Sequence, residues 1–318
     1  MAPGQKTSME YVRLGVARVA ELGSRYDAGI NTFDTANMYS NGESERILGK
    51  AIKEFNLPRE EIVVLTKVYF SVKKDNKATA TSPNWNDENG YVNQHGLSRK
   101  HIFDSVKASL ERLQLDYIDV LQCHRFDYNT PIEETALHDV VKAGYVRYVG
   151  MSSCHAYQFA QMQNYAINNK LTPFISMQNH YNLLYREEER EMFPTLQLFG
   201  VGAIPWSPLA QGLLTRPRDA EKTARSQTDI YTKGYGNNEG TRKITSSVEQ
   251  IAKKYGVSMA QVSLAWVMSR PGVTAPIVGT TSLDNLKDLL GAVHVKLTDE
   301  DEKELEEAYQ PRGLFGHT

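Results

Sequence analysis

The 318-residue chain, 41% hydrophobic and 23% charged, has the balance of an ordinary globular protein, long enough for one large domain or two ordinary ones. Its 36 basic and 38 acidic side chains leave a net charge of −2 with no basic stripe, which argues against nucleic acid or an anionic membrane as a partner. Two cysteines, Cys123 and Cys154, exclude a disulfide framework, and no apolar run is long enough for a bilayer span or a signal peptide, so a cytoplasmic protein is expected.

Strand-like and helix-like patterns then alternate along the chain. Ile30 to Ala36 predicts a strand, Ser44 to Phe55 an amphipathic helix, and Ile62 to Lys67 a strand buried on both faces. A polar stretch from Ser71 to Leu97 is long enough to suggest a functional loop. Helices are expected over Ser98 to Leu113, Pro131 to Ala143, His155 to Asn168 and Glu187 to Phe199, and strands over Tyr117 to His124, Val146 to Met151, Phe174 to Gln178 and Val201 to Trp206. After a loop from Ser207 to Gly240 come helices from Lys243 to Tyr255 and Ser258 to Ser269, with stop signals at Gly256 and Pro271. A last strand, Thr274 to Val278, precedes helices from Ser282 to Leu290 and Asp299 to Ala308.

Repeated strand–helix units imply a parallel sheet, closed or doubly wound. No Gly-x-Gly-x-x-Gly follows the first strand, which weakens the doubly wound dinucleotide fold. No linker divides the chain, so residues 1–318 read as one α/β domain. Seven strands are found where a closed barrel needs eight, and the first is the one not found.

Four residues at the C-terminal ends of neighbouring strands carry the chemistry. Asp34 and Tyr39 lie five residues apart where the first strand breaks into a loop, Lys67 ends the next strand, and His124 the one after. Singly, each has a plain explanation: a turn cap, a rim aromatic, a solvated strand end, a structural histidine. Together they suit proton donation to a carbonyl. A phenol keeps its proton to about pH 10 unless a neighbour stabilises its anion. The Lys67 ammonium could do so, with Asp34 holding that ammonium and His124, neutral, orienting the carbonyl oxygen. No side chain donates hydride, so a reduced cofactor is required.

The run Gly29-Ile30-Asn31-Thr32-Phe33-Asp34-Thr35-Ala36, with Tyr39, then Gly42-Glu43-Ser44-Glu45 and Leu48-Gly49, resembles the aldo-keto reductase superfamily. The likeness continues through Leu65-Thr66-Lys67, Asp119 to His124, Gly150 to Ser153, Met177-Gln178-Asn179, Trp206 to Leu209 and Pro276 to Gly279. It is strongest toward fungal aryl-alcohol dehydrogenase and versiconal hemiacetal acetate reductase types. The resemblance implies a (β/α)8 TIM barrel that reduces aldehydes or ketones with NADPH, here aromatic or bulky ones in secondary metabolism. It maps the catalytic tetrad onto Asp34, Tyr39, Lys67 and His124. It implies Ser152, Ser153 and Gln178 at the nicotinamide carboxamide and Trp206 stacked on the ring. Ser207, Leu209, Arg216 and Arg225 would reach the pyrophosphate, and Thr281, Asn285 and Asp288 the adenosine phosphate. The last helix lacks Arg or Lys where many relatives clamp the 2′-phosphate, so NADH is the lesser alternative.

Met9 to Gly15 resembles the family's opening hairpin, after which the chain passes to a helix-like run with no first barrel strand in view. An NADPH-binding module that reports redox state to a partner, and an inactive open barrel, therefore stand as alternatives to the enzyme. Gly234 to Gly240 lacks the Gly-Lys-Ser/Thr of a phosphate loop and reads as a flap. The acidic runs Glu187 to Glu189 and Asp299 to Glu307 read as solvated helix faces, and no metal site is expected around His138 or His155.

Overall fold

A computed structural model describes residues 13–15, 26–73, 90–217, 235, 238–280 and 282–317. The strands are β1 (Arg13–Gly15), β2 (Thr32–Asp34), β3 (Val63–Val68), β4 (Ile118–Cys123), β5 (Val146–Ser152), β6 (Phe174–Gln178), β7 (Gly202–Ala203) and β8 (Ile277–Val278). They form one parallel sheet in the order β7-β6-β5-β4-β3-β2-β1-β8. Ala203 meets Val273 in a parallel bridge, and the Ile277 amide donates to Pro205 O at 2.7 Å, which brings β7 against the approach to β8 and closes the ring. The fold is a (β/α)8 barrel.

The strand not found in the sequence is Arg13–Gly15. It pairs with β2 through Leu14–Phe33 and Gly15–Asp34, and with β8 through Arg13–Ile277 and Leu14–Val278. Only three residues long, it shows no run of alternating or apolar residues, so it offers no periodic signal. These pairings run against the inactive open barrel that stood as an alternative in the sequence, and supply the eighth strand.

Among the described residues the helices are α1 (Glu43–Glu54), α2 (Arg99–Leu113), α3 (Leu137–Lys142), α4 (Ala156–Asn168), α5 (Met192–Phe199), α6 (Glu239–Tyr255), α7 (Met259–Ser269), α8 (Leu283–Leu290) and α9 (Asp299–Glu306). Ser98, Ser258, Ser282 and Thr298 cap α2, α7, α8 and α9 by accepting from backbone amides three residues on. Two helices expected as continuous are split. Thr135, extended at ψ 95°, separates a 3-10 turn (Ile132–Glu134) from α3. Arg190 and Glu191 separate another (Glu187–Glu189) from α5.

Successive strand residues face opposite ways. Leu65, Val120 and Ile204 meet inside the barrel, while Val64, Leu121 and Val149 join the larger core under the helices with Ile102, Phe159 and Trp266. The Glu43 to Gly49 segment is fixed by close packing. Glu45 is buried, accepting from Thr66 Oγ1 and Arg112 Nε, each at 2.6 Å. A Cβ on Gly49 would stand 2.3 Å from Leu113 O, so α1 can lie on α2 at this distance only with glycine there.

The acidic runs are not solvated faces throughout. Glu187 and Glu188 are buried, Glu187 accepting from Tyr309 Oη (2.6 Å) and the Arg312 amide (2.7 Å), and Glu188 from Asn179 Nδ2 (2.9 Å). Asp301 is buried against Lys254 and Tyr255, and their hydrogen bonds outweigh burial and hold its pKa down at about 2. Charge runs mark solvated faces only where nothing folds back over them.

Candidate active site

β2, β3 and β4 end side by side, so the ends of these strands bring Asp34, Lys67 and His124 to one rim of the barrel. Lys67 is 1% exposed. Its ammonium donates to Asp34 Oδ2 at 2.5 Å and to Thr35 O at 2.9 Å. Burial opposes the charge on Lys67, but the Asp34 carboxylate and then the Tyr39 hydroxyl outweigh it and hold the pKa above its ordinary value. The lysine therefore stays an ammonium.

Tyr39 begins a short turn after β2 (Tyr39–Gly42) in which Ser40 and Asn41 take left-handed backbone conformations. Its ring centroid lies 5.0 Å from Lys67 Nζ and 5.7 Å from the His124 ring, edge-on at 81°. His124 is buried against Phe70 on another edge, with centroids 5.1 Å apart. Burial, then Arg125 and Lys67, push its pKa well below the ordinary value, so the imidazole is neutral. Its Nδ1 is buried with no hydrogen-bond partner among the described residues, the kind of polar atom that a ligand satisfies.

The residues expected at the nicotinamide end also converge. Ser152 ends β5 and donates through Oγ to Gln178 O on β6 at 2.8 Å. Ser153 follows at φ 36°, and its Oγ accepts from Trp206 Nε1 at 3.1 Å. The Gln178 amide reaches into the tetrad, donating to Asp34 Oδ1 at 2.9 Å. Two serines, a buried amide and an indole thus stand together beside Asp34, an arrangement suited to a flat ring bearing a carboxamide.

The phosphate end is less gathered. Ser207, at φ 54°, accepts from Gln211 Nε2 through Oγ at 2.6 Å and from Asn182 Nδ2 through its carbonyl at 2.9 Å. Leu209 packs half-buried on the core, and Arg216 is half-buried in the loop beyond. Asn285 is exposed on the first turn of α8. Asp288 also joins two helices: Oδ2 accepts from Ser258 Oγ (2.6 Å) and Oδ1 from Gln261 Nε2 (2.9 Å). Arg225 and Thr281 lie outside the described residues, as does part of the Gly234 to Gly240 flap.

Two participants were not read from the sequence. Gln122 lies two residues before His124 on β4 and therefore faces the same side, a signal that strand alternation carries. Its amide donates to Asp34 Oδ1 at 3.0 Å. His180 carries no such signal, because Trp206 and Tyr235, which meet its ring, arrive from other segments. Among the described residues no cluster of histidine, cysteine or carboxylate could hold a metal, and no helix is long and apolar enough to cross a membrane.

Comparison with known sequences gives the family. The profile of the Aldo/keto reductase family matches residues 18–310. A Schizosaccharomyces pombe protein that carries an aryl-alcohol dehydrogenase name is 52% identical over 299 residues, covering 92% of this chain and 84% of that protein. The versiconal hemiacetal acetate reductase of Aspergillus parasiticus is 48% identical over 296 residues, 91% of this chain and 85% of its own. An aldo-keto reductase of Alternaria alternata is 46% identical over 310 residues, 94% and 84% respectively.

Proposed function

The chain belongs to the aldo/keto reductase family of oxidoreductases, and from that premise we propose that it reduces aldehydes or ketones, aromatic or bulky ones, to alcohols with NADPH. The observation that carries this reading is the buried Lys67–Asp34 pair set against Tyr39, with a neutral His124 edge-on to the same phenol.

A bound reduced nicotinamide would supply the hydride. Tyr39 gives its hydroxyl proton to the carbonyl oxygen, and the Lys67 ammonium stabilises the phenolate left behind. Asp34 keeps Lys67 charged and aimed. His124, being neutral, offers a ring N–H to the carbonyl oxygen as negative charge develops there. Ser152, Ser153 and Gln178 would hold the carboxamide, with Trp206 against the ring. Ser207, Leu209, Arg216 and Arg225 would take the pyrophosphate, and Thr281, Asn285 and Asp288 the adenosine phosphate. The Asp288 carboxylate also accepts from Ser258 and Gln261, which fixes its place on α8. Cytoplasmic placement and a small-molecule carbonyl partner belong to the same proposal.

The test is titration of the full chain with NADPH and NADH, read by fluorescence, followed by turnover of a carbonyl panel. Tyr39→Phe should bind NADPH nearly as the parent does and lose aryl-aldehyde reduction. Equal turnover by variant and parent would remove Tyr39 as proton donor. Tight binding by the parent without turnover of any carbonyl would favour the redox-reporting module instead.

A further inference from the structure

Asp34 uses both carboxylate oxygens. Oδ2 faces Lys67, and Oδ1 is shared by two amides, Gln122 Nε2 at 3.0 Å and Gln178 Nε2 at 2.9 Å. Gln122 closes the triangle, its Oε1 accepting from Gln178 Nε2 at 3.1 Å. All four residues are at most 3% exposed.

The placement of Gln122 is tightly determined. On β4 it stands in register with Lys67 of β3 and Gly150 of β5. A Cβ on Gly150 would lie 2.6 Å from Ser176 Oγ and 3.2 Å from Gln122 Cγ, so glycine there leaves room for both side chains. The amide cannot turn over without loss. With donor and acceptor exchanged, its oxygen would face the Asp34 carboxylate and its NH2 would face the Gln178 donor.

We infer that Gln122 is a positioning residue for the proposed carbonyl reduction: it holds Asp34 Oδ1 and orients the Gln178 amide, tying the Lys67–Asp34 pair to the residue assigned to the nicotinamide carboxamide. This rests on the reductase reading given above. If Gln178 turns its amide toward a ligand, Gln122 is the amide donor that stays on Asp34 Oδ1. The carboxylate then keeps its aim on Lys67, and Lys67 its place beside Tyr39.

Two variants of the full chain test this. Gln122→Met keeps the volume and removes both hydrogen bonds. Its NADPH dissociation constant, from fluorescence titration, should rise about tenfold, and its kcat on an aryl aldehyde should fall about tenfold to a hundredfold, with KM for the aldehyde little changed. Gln122→Glu separates positioning from packing. The carboxyl it introduces, when protonated, donates to Asp34 as the amide does; when ionised, it repels Asp34. Among the described residues the charged or titratable groups facing position 122 are Asp34 and Lys67, with Tyr39 beyond Lys67 and His124 two residues further along the chain. The turnover of Gln122→Glu relative to the parent should therefore fall as pH rises, while the ratio for Gln122→Met stays level.

Parent-like NADPH affinity and kcat in Gln122→Met would overturn the inference, as would a pH-independent ratio for Gln122→Glu. If Gln122→Met does not fold, as judged by circular dichroism, the pH profile of Gln122→Glu decides. A parent that binds NADPH but reduces no carbonyl refutes the reductase reading alone, and the two binding constants then decide whether Gln122 orients Gln178. A parent that neither binds nor turns over refutes both.

Discussion

His180 lies flat against Trp206, with ring centroids 4.2 Å apart and planes 11° from parallel. On its other side Tyr185 stacks at 4.3 Å and 14°. His180 Nε2 faces Tyr235 Oη at 2.6 Å and accepts from Asn182 Nδ2 at 3.3 Å, so the imidazole is clamped in its plane as well as on its faces. The indole assigned to the nicotinamide ring thus rests on a fixed histidine rather than on solvent.

Removing that support should loosen the platform. An aromatic pair contributes about 0.5–1.5 kcal/mol beyond burial, so His180→Leu should weaken NADPH binding by roughly two- to tenfold. His180→Phe, which keeps a flat ring, should bind nearly as the parent does. Fluorescence titration of both variants checks this, and equal weakening by Leu and Phe would assign the effect to the lost Tyr235 contact instead.

His180 also sets a pH dependence of stability. Burial, then His317 and Arg312, lower its pKa from the usual 6.5 to about 3. The unfolded chain therefore binds a proton that the folded chain refuses between those values. Stability is fully present above about pH 6.5 and is lost as pH falls toward 3, by on the order of 5 kcal/mol if the whole shift is expressed. His101, held at about 4 by burial and then His95, acts in the same direction. Thermal midpoints measured from pH 7 to pH 4 should decline, and less steeply in His180→Phe. An identical slope in the two proteins would show that His180 does not contribute.

Gly49 fixes how closely α1 approaches α2. Gly49→Ala would place a Cβ 2.3 Å from Leu113 O, a backbone atom that cannot swing away. The helices must part, at a cost of about 1–3 kcal/mol. Urea unfolding should show the midpoint falling with little change in slope. An unchanged midpoint would mean that the two helices are less tightly seated than the contact implies.

Glu45 is a buried carboxylate whose loss strands its partner. Glu45→Ala leaves the Arg112 guanidinium, whose side chain is 11% exposed, without its carboxylate, and Thr66 Oγ1 without its acceptor. Leaving one half of a buried pair unmatched costs about 3–5 kcal/mol. Folded Glu45→Ala should still turn over, since Lys67 keeps its bonds to Asp34 and Thr35. Chemical denaturation together with kcat per folded molecule tests both halves. A large fall in kcat without loss of stability would place Glu45 in the chemistry through Thr66.

The sequence alone determined what periodicity and residue chemistry can carry: the alternation of strands and helices, and an acid, a phenol, a lysine and a histidine at the ends of three successive strands. Strand alternation also held the position of Gln122, two residues before His124, although its partner Gln178 lies 56 residues away in the chain. Tertiary structure alone decided the rest. Arg13–Gly15 became a strand because β2 and β8 offered it two open edges, not because three residues have a pattern of their own. Glu187 and Glu188 became interior because Tyr309, Arg312 and His317 return from the C-terminal end to meet them. His180 acquired its place from Trp206 and Tyr235 on two other segments, with Tyr185 of its own turn on the remaining face. Local pattern records what a residue can do with near neighbours, whereas these pairings depend on closure of the barrel, which no local pattern contains.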